Sequence, residues 1–395
     1  MSKALPPEHS RDWDENPGLA PDVIAPAPAA IKGRGTASRL QGRFERWTRQ
    51  ADPAVFEPPS GDGDDDEDRD HRVDITPPRH PRTVIKLIDA RSIVSHNSSP
   101  DIGFDSSINP YLGCEHGCIY CYARPSYAFW DLSPGLDFET RIFAKRNAVE
   151  RLRATLSAPN YTVSSLHIGA NTDAYQPAER EQRITRGLLE LISECHHPVS
   201  LITKNALIER DIDLLSSLAR RGLVRVFVSI TNLDGELART LEPRASAPWR
   251  RLETIRKLAD AGIPTGVSIA PVIPALTDLH VESVLEHAHA AGARYAGYVL
   301  LRLPLEIEPL FREWLQQHHP LKAEHVMSLV TQMSGGKTYD SRFGVRGRGS
   351  GPFATLLKQR FAVAMRRFGY DTGRLPLDVT QFVPPNRESA QLGLF

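Results

Sequence analysis

Hydrophobic and polar positions along the middle of the chain switch period repeatedly. Short runs rich in β-branched and aromatic residues fall at 107–112, 163–169, 199–204, 224–231, 265–272 and 295–301, and such runs suit the strands of a largely buried sheet. Between them, apolar residues recur at three- and four-residue intervals over 148–158, 183–195, 212–221, 248–261 and 281–291. That period predicts helices. Several end near a glycine, the residue that most readily takes the left-handed conformation that stops a helix.

Strands alternating with helices pair in parallel, because each helix carries the chain back over one face of the sheet in a right-handed crossover. The expected fold class is therefore α/β. Six units are fewer than the eight of a closed barrel, so a partial (β/α)6 TIM-like barrel or an open sheet is expected, with ligands at the C-terminal ends of the strands. Past Leu303-Pro304 the pattern turns helical over 308–318 and 323–333, crosses a Gly/Arg-rich loop and enters a basic helix over 352–368. The predicted organisation is an extension over 1–80, a core over 81–307, a helical, Arg-rich segment over 308–370 and a flexible tail over 371–395.

The extension is rich in Pro, Ala and charge and contains the acidic run from Asp62 to Asp70. It buries too little apolar surface to order itself and is expected to be mostly disordered. Its exception is the basic, mildly amphipathic stretch from Lys32 to Trp47, which is suited to docking on the core or on a partner.

Composition then narrows the function. With 395 residues, 41% of them apolar, the chain accommodates one large domain plus appendages. Lys and Arg balance Asp and Glu at 48 each, so any attraction to nucleic acid must come from a local surface. No uninterrupted apolar run reaches the roughly 18 residues of a membrane span, and the first residues lack the apolar core of a signal peptide. A cytoplasmic protein is expected. Three of the four cysteines lie between positions 114 and 121, a spacing that suits a metal site in a reducing compartment better than a disulfide framework.

Those cysteines sit in Asn109-Pro-Tyr-Leu-Gly-Cys-Glu-His-Gly-Cys-Ile-Tyr-Cys-Tyr-Ala-Arg-Pro125, directly after the first predicted strand. Cubane iron–sulfur clusters are held by thiolates, usually one to each iron. Thiolates from Cys114, Cys118 and Cys121 would leave one iron open, and an open position distinguishes a catalytic metal site from a structural one. Gly113 and Gly117 permit close backbone wrapping, and Tyr120 would lie beside whatever binds the open iron. The alternative is a zinc site completed by His116, His167 or His196.

The spacing Cys-x3-Cys-x-aromatic-Cys, formed by Cys114, Cys118, Tyr120 and Cys121, resembles the radical S-adenosylmethionine superfamily. Within it, the chain is most similar to the spore photoproduct lyase branch through Cys118-Ile-Tyr-Cys-Tyr-Ala-Arg124, Thr172-Asp-Ala-Tyr-Gln-Pro-Ala-Glu179, Thr203-Lys-Asn205 and Ile269-Ala-Pro-Val-Ile-Pro274. The resemblance implies a [4Fe–4S] cluster whose open iron is chelated by S-adenosylmethionine, and a reductant such as a flavodoxin or ferredoxin. It places Asn171, Thr172 and Asp173 near the cofactor's amino group, although Asp173 equally suits an Asx turn.

Lys204, Ser229 and Thr231 end neighbouring strands, where they would meet the cofactor's carboxylate and ribose or serve as structural polar residues. Arg302 ends the last strand among apolar neighbours and needs a carboxylate or phosphate, from a ligand or from a structural salt bridge. Glu242-Pro-Arg244 reads first as a structural helix start. The lyase branch returns hydrogen to its product through a cysteine on the second-strand segment, whereas here that segment reads Tyr161-Thr-Val-Ser-Ser-Leu-His167. Tyr120 and Tyr122 are therefore the candidate radical relays, and Cys195 reads as a packed core thiol.

Two features lie outside the core. Arg342, Arg346 and Arg348, interleaved with glycines and aromatics, suit contacts to nucleic-acid phosphates and bases. Gln391, Leu392, Leu394 and Phe395 resemble the peptides with which bacterial repair and replication proteins bind the sliding clamp. The leading expectation is a radical enzyme acting on nucleic acid, with peptide or small-molecule modification and a non-catalytic iron–sulfur or zinc protein as alternatives. Anaerobic purification is expected to return iron and acid-labile sulfide, and one zinc per chain without sulfide would overturn the cluster.

Overall fold

The computed structural model describes residues 30–45, 81–373 and 376–385. Among the described residues, ten strands are numbered in chain order. β1 (Val84–Ile88), β4 (Tyr111–Leu112) and β5 (Arg141–Lys145) form a small sheet in the order β1-β5-β4. β2 (Val94–His96), β3 (Ser106–Ile108), β6 (Leu166–Ile168), β7 (Val199–Thr203), β8 (Val224–Ser229), β9 (Thr265–Val272) and β10 (Tyr295–Leu300) form a larger one. In it, β3, β6, β7, β8, β9 and β10 run parallel in sequence order, and β2 lies antiparallel outside β3. The α/β class is as expected, with sheets of both pairing senses.

The single strand expected over 107–112 is divided between the two sheets. Pro110 has no N–H to extend the ladder of β3, and the chain leaves there to pair Tyr111 with Ala144 of β5. The small sheet lacked a sequence signal because β1 and β5 mix apolar and basic residues.

Among the helices, α1 (Leu136–Thr140), α2 (Ala148–Leu156), α3 (Glu179–Gln182), α4 (Ile184–Glu194), α5 (Ile212–Arg220), α6 (Gly235–Leu241), α7 (Pro248–Asp260) and α8 (Val281–Ala290) lie between the strands. Apolar spacing explains α4, which buries Ile184, Leu188, Leu191 and Ile192 along one stripe. α6 was not anticipated; it is started by Asp234, whose carboxylate accepts from Glu236 N at 2.8 Å and Leu237 N at 3.1 Å. α9 (Ile307–His318), α10 (Ala323–Met333) and α11 (Gly351–Phe368) follow. Arg360 on α11 pairs with Glu282 on α8 at 2.7 Å, and Tyr370 donates to Leu285 O. Among the described residues, no helix is long and apolar enough to cross a membrane.

Two segments expected to be loose are held in place. Between α10 and α11, Gly347 O accepts from Leu300 N at the end of β10, while Asp101, in the loop after β2, accepts from Gly344 N and Arg346. This loop therefore links the two edges of the large sheet. At the other end of the strands, Asp378 N donates to Gly222 O and Val383 N to Cys195 O. Phe382 packs there on Tyr161 and His197. The clamp-like peptide and the acidic run lie outside the described residues.

His197 Nδ1 lies 3.0 Å from Pro198 O, to which it can donate, and its Nε2 lies 2.7 Å from the Tyr161 hydroxyl, which can donate to the neutral ring. Burial lowers its pKa from 6.5 to about 4, and burial with Arg225 nearby does the same to His167. The unfolded chain gains protons on these rings as pH falls through 6.5, while the folded chain stays neutral until about 4. Stability is therefore expected to decline across that window. Denaturant midpoints measured through it should show a shallower decline for H197Q, and an unchanged slope would refute the assignment.

Candidate functional site

Cys114, Cys118 and Cys121 lie on the loop after β4, at the C-terminal end of β3, and all are free thiols. Gly113 and Gly117 have φ of 76° and 67°, which lets the loop coil back on itself. Gln176 pins both flanks of Cys114, accepting from Glu115 N at 2.9 Å and donating to Gly113 O at 3.1 Å. Beneath the loop lies Arg124, fully buried. Its Nε donates to Cys118 O, Nη1 to Pro134 O and Gly135 O, and Nη2 to Gly117 O and Glu139 Oε1 at 2.5 Å. All five guanidinium N–H groups are thereby used.

The segment from Lys32 onward docks on this loop. Gly35 N donates to Glu139 Oε2 at 2.9 Å, and Arg34 donates to Glu139 O, Pro81 O and Thr83 Oγ1. A Cβ at position 35 would overlap the Gly117 carbonyl, so only glycine fits this crossing. Ser38 continues the strap to Leu136 N and Glu313, and Arg43 to Glu306.

At the neighbouring strand ends, Lys204, Ser229 and Thr231 come together as expected. Lys204 Nζ donates to Ser229 Oγ at 2.6 Å and Ala270 O at 3.2 Å, and lies 3.3 Å from Glu242. Glu242 also accepts from Tyr120, Arg251 and Thr231. Burial alone would raise its pKa, but the charges of Arg251 and Lys204 hold it down to about 2. Glu242 therefore turns the Tyr120 ring toward Lys204, whose ammonium lies 5.7 Å from the ring centroid. Glu242 ends α6 rather than beginning a helix, and its carboxylate lies among these strand-end groups.

The remaining predicted residues divide. Thr172 donates to Tyr111 O and is buried, a structural position. Asp173 accepts from Tyr175 N, Thr203 Oγ1 and Lys204 N and lies 3.3 Å from His116 Nδ1. These four partners fill a carboxylate's capacity, so it acts as a tether built on an Asx turn. The backbone of Asn171 is fixed by Asn109, and its side chain is exposed beside Ala170, whose carbonyl accepts from Tyr122. Arg302 faces Tyr122 and Tyr339 at 5.7 and 5.9 Å, and its Nε is buried without a hydrogen-bond partner. Tyr122 and Arg302 thus lie together, Tyr122 on the cysteine loop and Arg302 just after β10.

Cys114, Cys118 and Cys121 supply three thiols, the ligand type that holds an iron–sulfur cluster. His116 is occupied by Asp173 and Asn205, His167 by Ser200 and Phe104, and His196 lies at the opposite end of the strands. Burial and Glu242 push the Cys118 thiol up to about 12, and burial raises Cys114 and Cys121. Thiolates in such surroundings require a cationic partner, such as a bound metal centre.

Sequence reasoning missed Gln176 and the roles of Arg124 and Arg251. Arg124 carried one signal, an arginine within an otherwise apolar, buried stretch that needs acceptors, whereas Arg251 stands in the polar run Arg250-Arg-Leu-Glu253 and carried none. Gln176 carried none, because its two partners are backbone groups 61 and 63 residues away.

Residues 108–288 match the family model described as the Radical SAM superfamily. An uncharacterized protein of Mycobacterium tuberculosis is 36% identical over 219 residues, covering 55% of this chain and 64% of the relative. The chain thus spans less than two thirds of that relative's length. One from Methanocaldococcus jannaschii is 26% identical, covering 60% of this chain and 85% of its own. Spore photoproduct lyase complexed with dinucleoside spore photoproduct superposes with a TM-score of 0.52 at 16% identity, covering 72% and 80% of the two chains. That likeness is one of fold.

Replacing Arg124 with Lys removes the planar fork that reaches five acceptors at once. The variant is expected to lose roughly 3–5 kcal/mol of stability and to retain less iron after anaerobic reconstitution. Unchanged iron content with unchanged unfolding would show that the loop holds its shape without this residue.

Proposed function

We propose that the protein is a radical enzyme that holds a [4Fe–4S] cluster on Cys114, Cys118 and Cys121 and binds S-adenosylmethionine against the ends of β7 and β8, in a partial (β/α)6 barrel. The observation that carries this reading is the meeting of three free thiols with Lys204, Ser229, Thr231 and Glu242 at adjacent strand ends, inside the matched superfamily domain. When bound, the pair supplies one-electron cleavage of the sulfonium and a 5′-deoxyadenosyl radical for hydrogen abstraction.

The chain's own residues give that chemistry its setting. Lys204, whose ammonium is held by Ser229, Ala270 O and Glu242, places a positive charge at the strand ends where the cofactor carboxylate would lie, and Glu242 balances that charge. Tyr120 is committed to Glu242 and is 7% exposed, whereas Tyr122 is 48% exposed beside Arg302. Tyr122 is therefore the better placed phenol to return a hydrogen atom to a substrate radical. The thiol used for this in the photoproduct lyase branch has no counterpart here, because Cys195 is fully buried at the end of α4, away from the mouth.

A nucleic-acid substrate remains the favoured class, through Arg342, Arg346 and Arg348 on the loop that links the sheet edges. Arg342 and Arg348 are exposed, and Phe343 is 59% exposed with the Arg346 guanidinium 4.6 Å from its ring. Arg346 is already paired with Asp101 and Arg342 with Asp340, so the loop carries less free charge than its sequence suggests. For the tail, the proposal is that Gln391, Leu392, Leu394 and Phe395 bind the sliding clamp, supported by residues 376–385 being anchored at the end of the strands away from the cysteine loop.

Under dithionite the reconstituted protein is expected to release 5′-deoxyadenosine, and an intact cluster that releases none would refute the enzyme reading. Removing residues 391–395 is expected to abolish clamp binding without changing that release; binding that survives the deletion would refute the tail assignment.

A further inference from the structure

An aromatic surface lies against the cysteine loop on the side of β5. Cys114 lies in a small apolar cluster with Tyr127 and Phe138, against which Cys121 and Phe143 pack. Phe143, on β5, stacks on Trp130 with centroids 5.8 Å apart, and Trp130 is 53% exposed. Next to it Phe129 is 69% exposed and lies 5.0 Å from Phe44 of the strap. Packed aromatic rings thus lead from the cysteines to the surface and end in a patch of exposed ones. Contiguous exposed rings of this kind mark an interaction surface.

The rim of the patch is mainly cationic. Lys86 is exposed and in register with Phe143 across the β1–β5 pair, and Arg141 shares the face of Phe143 two residues earlier. The Arg39 and Arg141 side chains are 54% and 44% exposed and share one buried carboxylate, Asp137. Arg43 lies over both Phe44 and Phe129 and is paired with Glu306. Asp131 is the exposed carboxylate among them. An apolar centre with a cationic rim suits fast, electrostatically steered association with an acidic partner.

We infer that this face is the docking site of an acidic one-electron carrier protein of the flavin or iron–sulfur class, with Trp130 and Phe143 at its point of nearest approach to the cysteines. The inference rests on the radical reading above, since a redox cluster behind Phe143 is what accepts the electron. The carrier is oxidised by one electron and the cluster reduced by one, and no atom is transferred.

The test titrates an acidic flavodoxin into the full chain at low and high salt and follows binding calorimetrically, alongside 5′-deoxyadenosine release driven by the reduced flavodoxin or by dithionite. Lys86→Glu and Trp130→Ser are each expected to weaken binding by about tenfold or more. Flavodoxin-driven release should fall in step, while dithionite-driven release is unchanged. Failure of dithionite to drive release in the intact chain overturns the radical reading and this inference together. Normal dithionite-driven release with binding unmoved by either substitution overturns this inference alone. Binding that appears only after residues 46–80 are removed assigns the face to the chain's own acidic run and equally overturns it.

Discussion

A single buried guanidinium organises the part of the molecule where chemistry is expected. Arg124 reaches the carbonyls of Gly117 and Cys118 inside the cysteine loop, those of Pro134 and Gly135 before α1, and the carboxylate of Glu139 at the far end of that helix. A buried cation is costly unless every donor finds an acceptor. Here the donors are satisfied by groups the cysteine loop would otherwise leave unpaired. The loop, α1 and the N-terminal strap are therefore mutually dependent, since Glu139 is also the acceptor that holds Gly35.

A second buried charge network sets the opposite wall of the pocket. Glu242 joins Tyr120 from the cysteine loop, Thr231 and Lys204 from strand ends, and Arg251 from α7. Ionised between two cations, it orients the aromatic of the cysteine motif and spaces the ammonium from it. The two networks meet through the backbone, where Ile119 N donates to Leu241 O and Arg244 N to His116 O. Displacement of either network would be felt at the cysteines.

Much of the fold was legible because its causes are local. The six parallel strands and five intervening helices follow from runs of β-branched residues and three-to-four spacing, and their observed limits fall within a few residues of expectation. Where sequence and structure diverge, the cause is nonlocal. The break of the first strand at Pro110 depends on β5 being available to pair Tyr111. The basic loop after α10 reads as a free cationic surface until Asp101, more than two hundred residues earlier, takes up Arg346. The tail over 376–385 has no helical or strand period of its own, yet Phe382 finds a ready-made box in Tyr161 and His197.

The candidate site divides in the same way. The sequence by itself determined the candidate ligands, since the spacing of Cys114, Cys118 and Cys121 and the aromatic at Tyr120 are one-dimensional facts. Periodicity also placed Lys204, Ser229, Thr231 and Arg302 at strand ends. Tertiary structure alone decided what each polar group is free to do, because hydrogen-bond capacity is a property of partners distant in the chain. Asp173 proved to be consumed by four of them, Glu242 became the hub of a pocket, and Arg302 kept a buried donor unpaired. Residue type announces which chemistry is possible, and the closing of acceptors around donors selects which of it remains available.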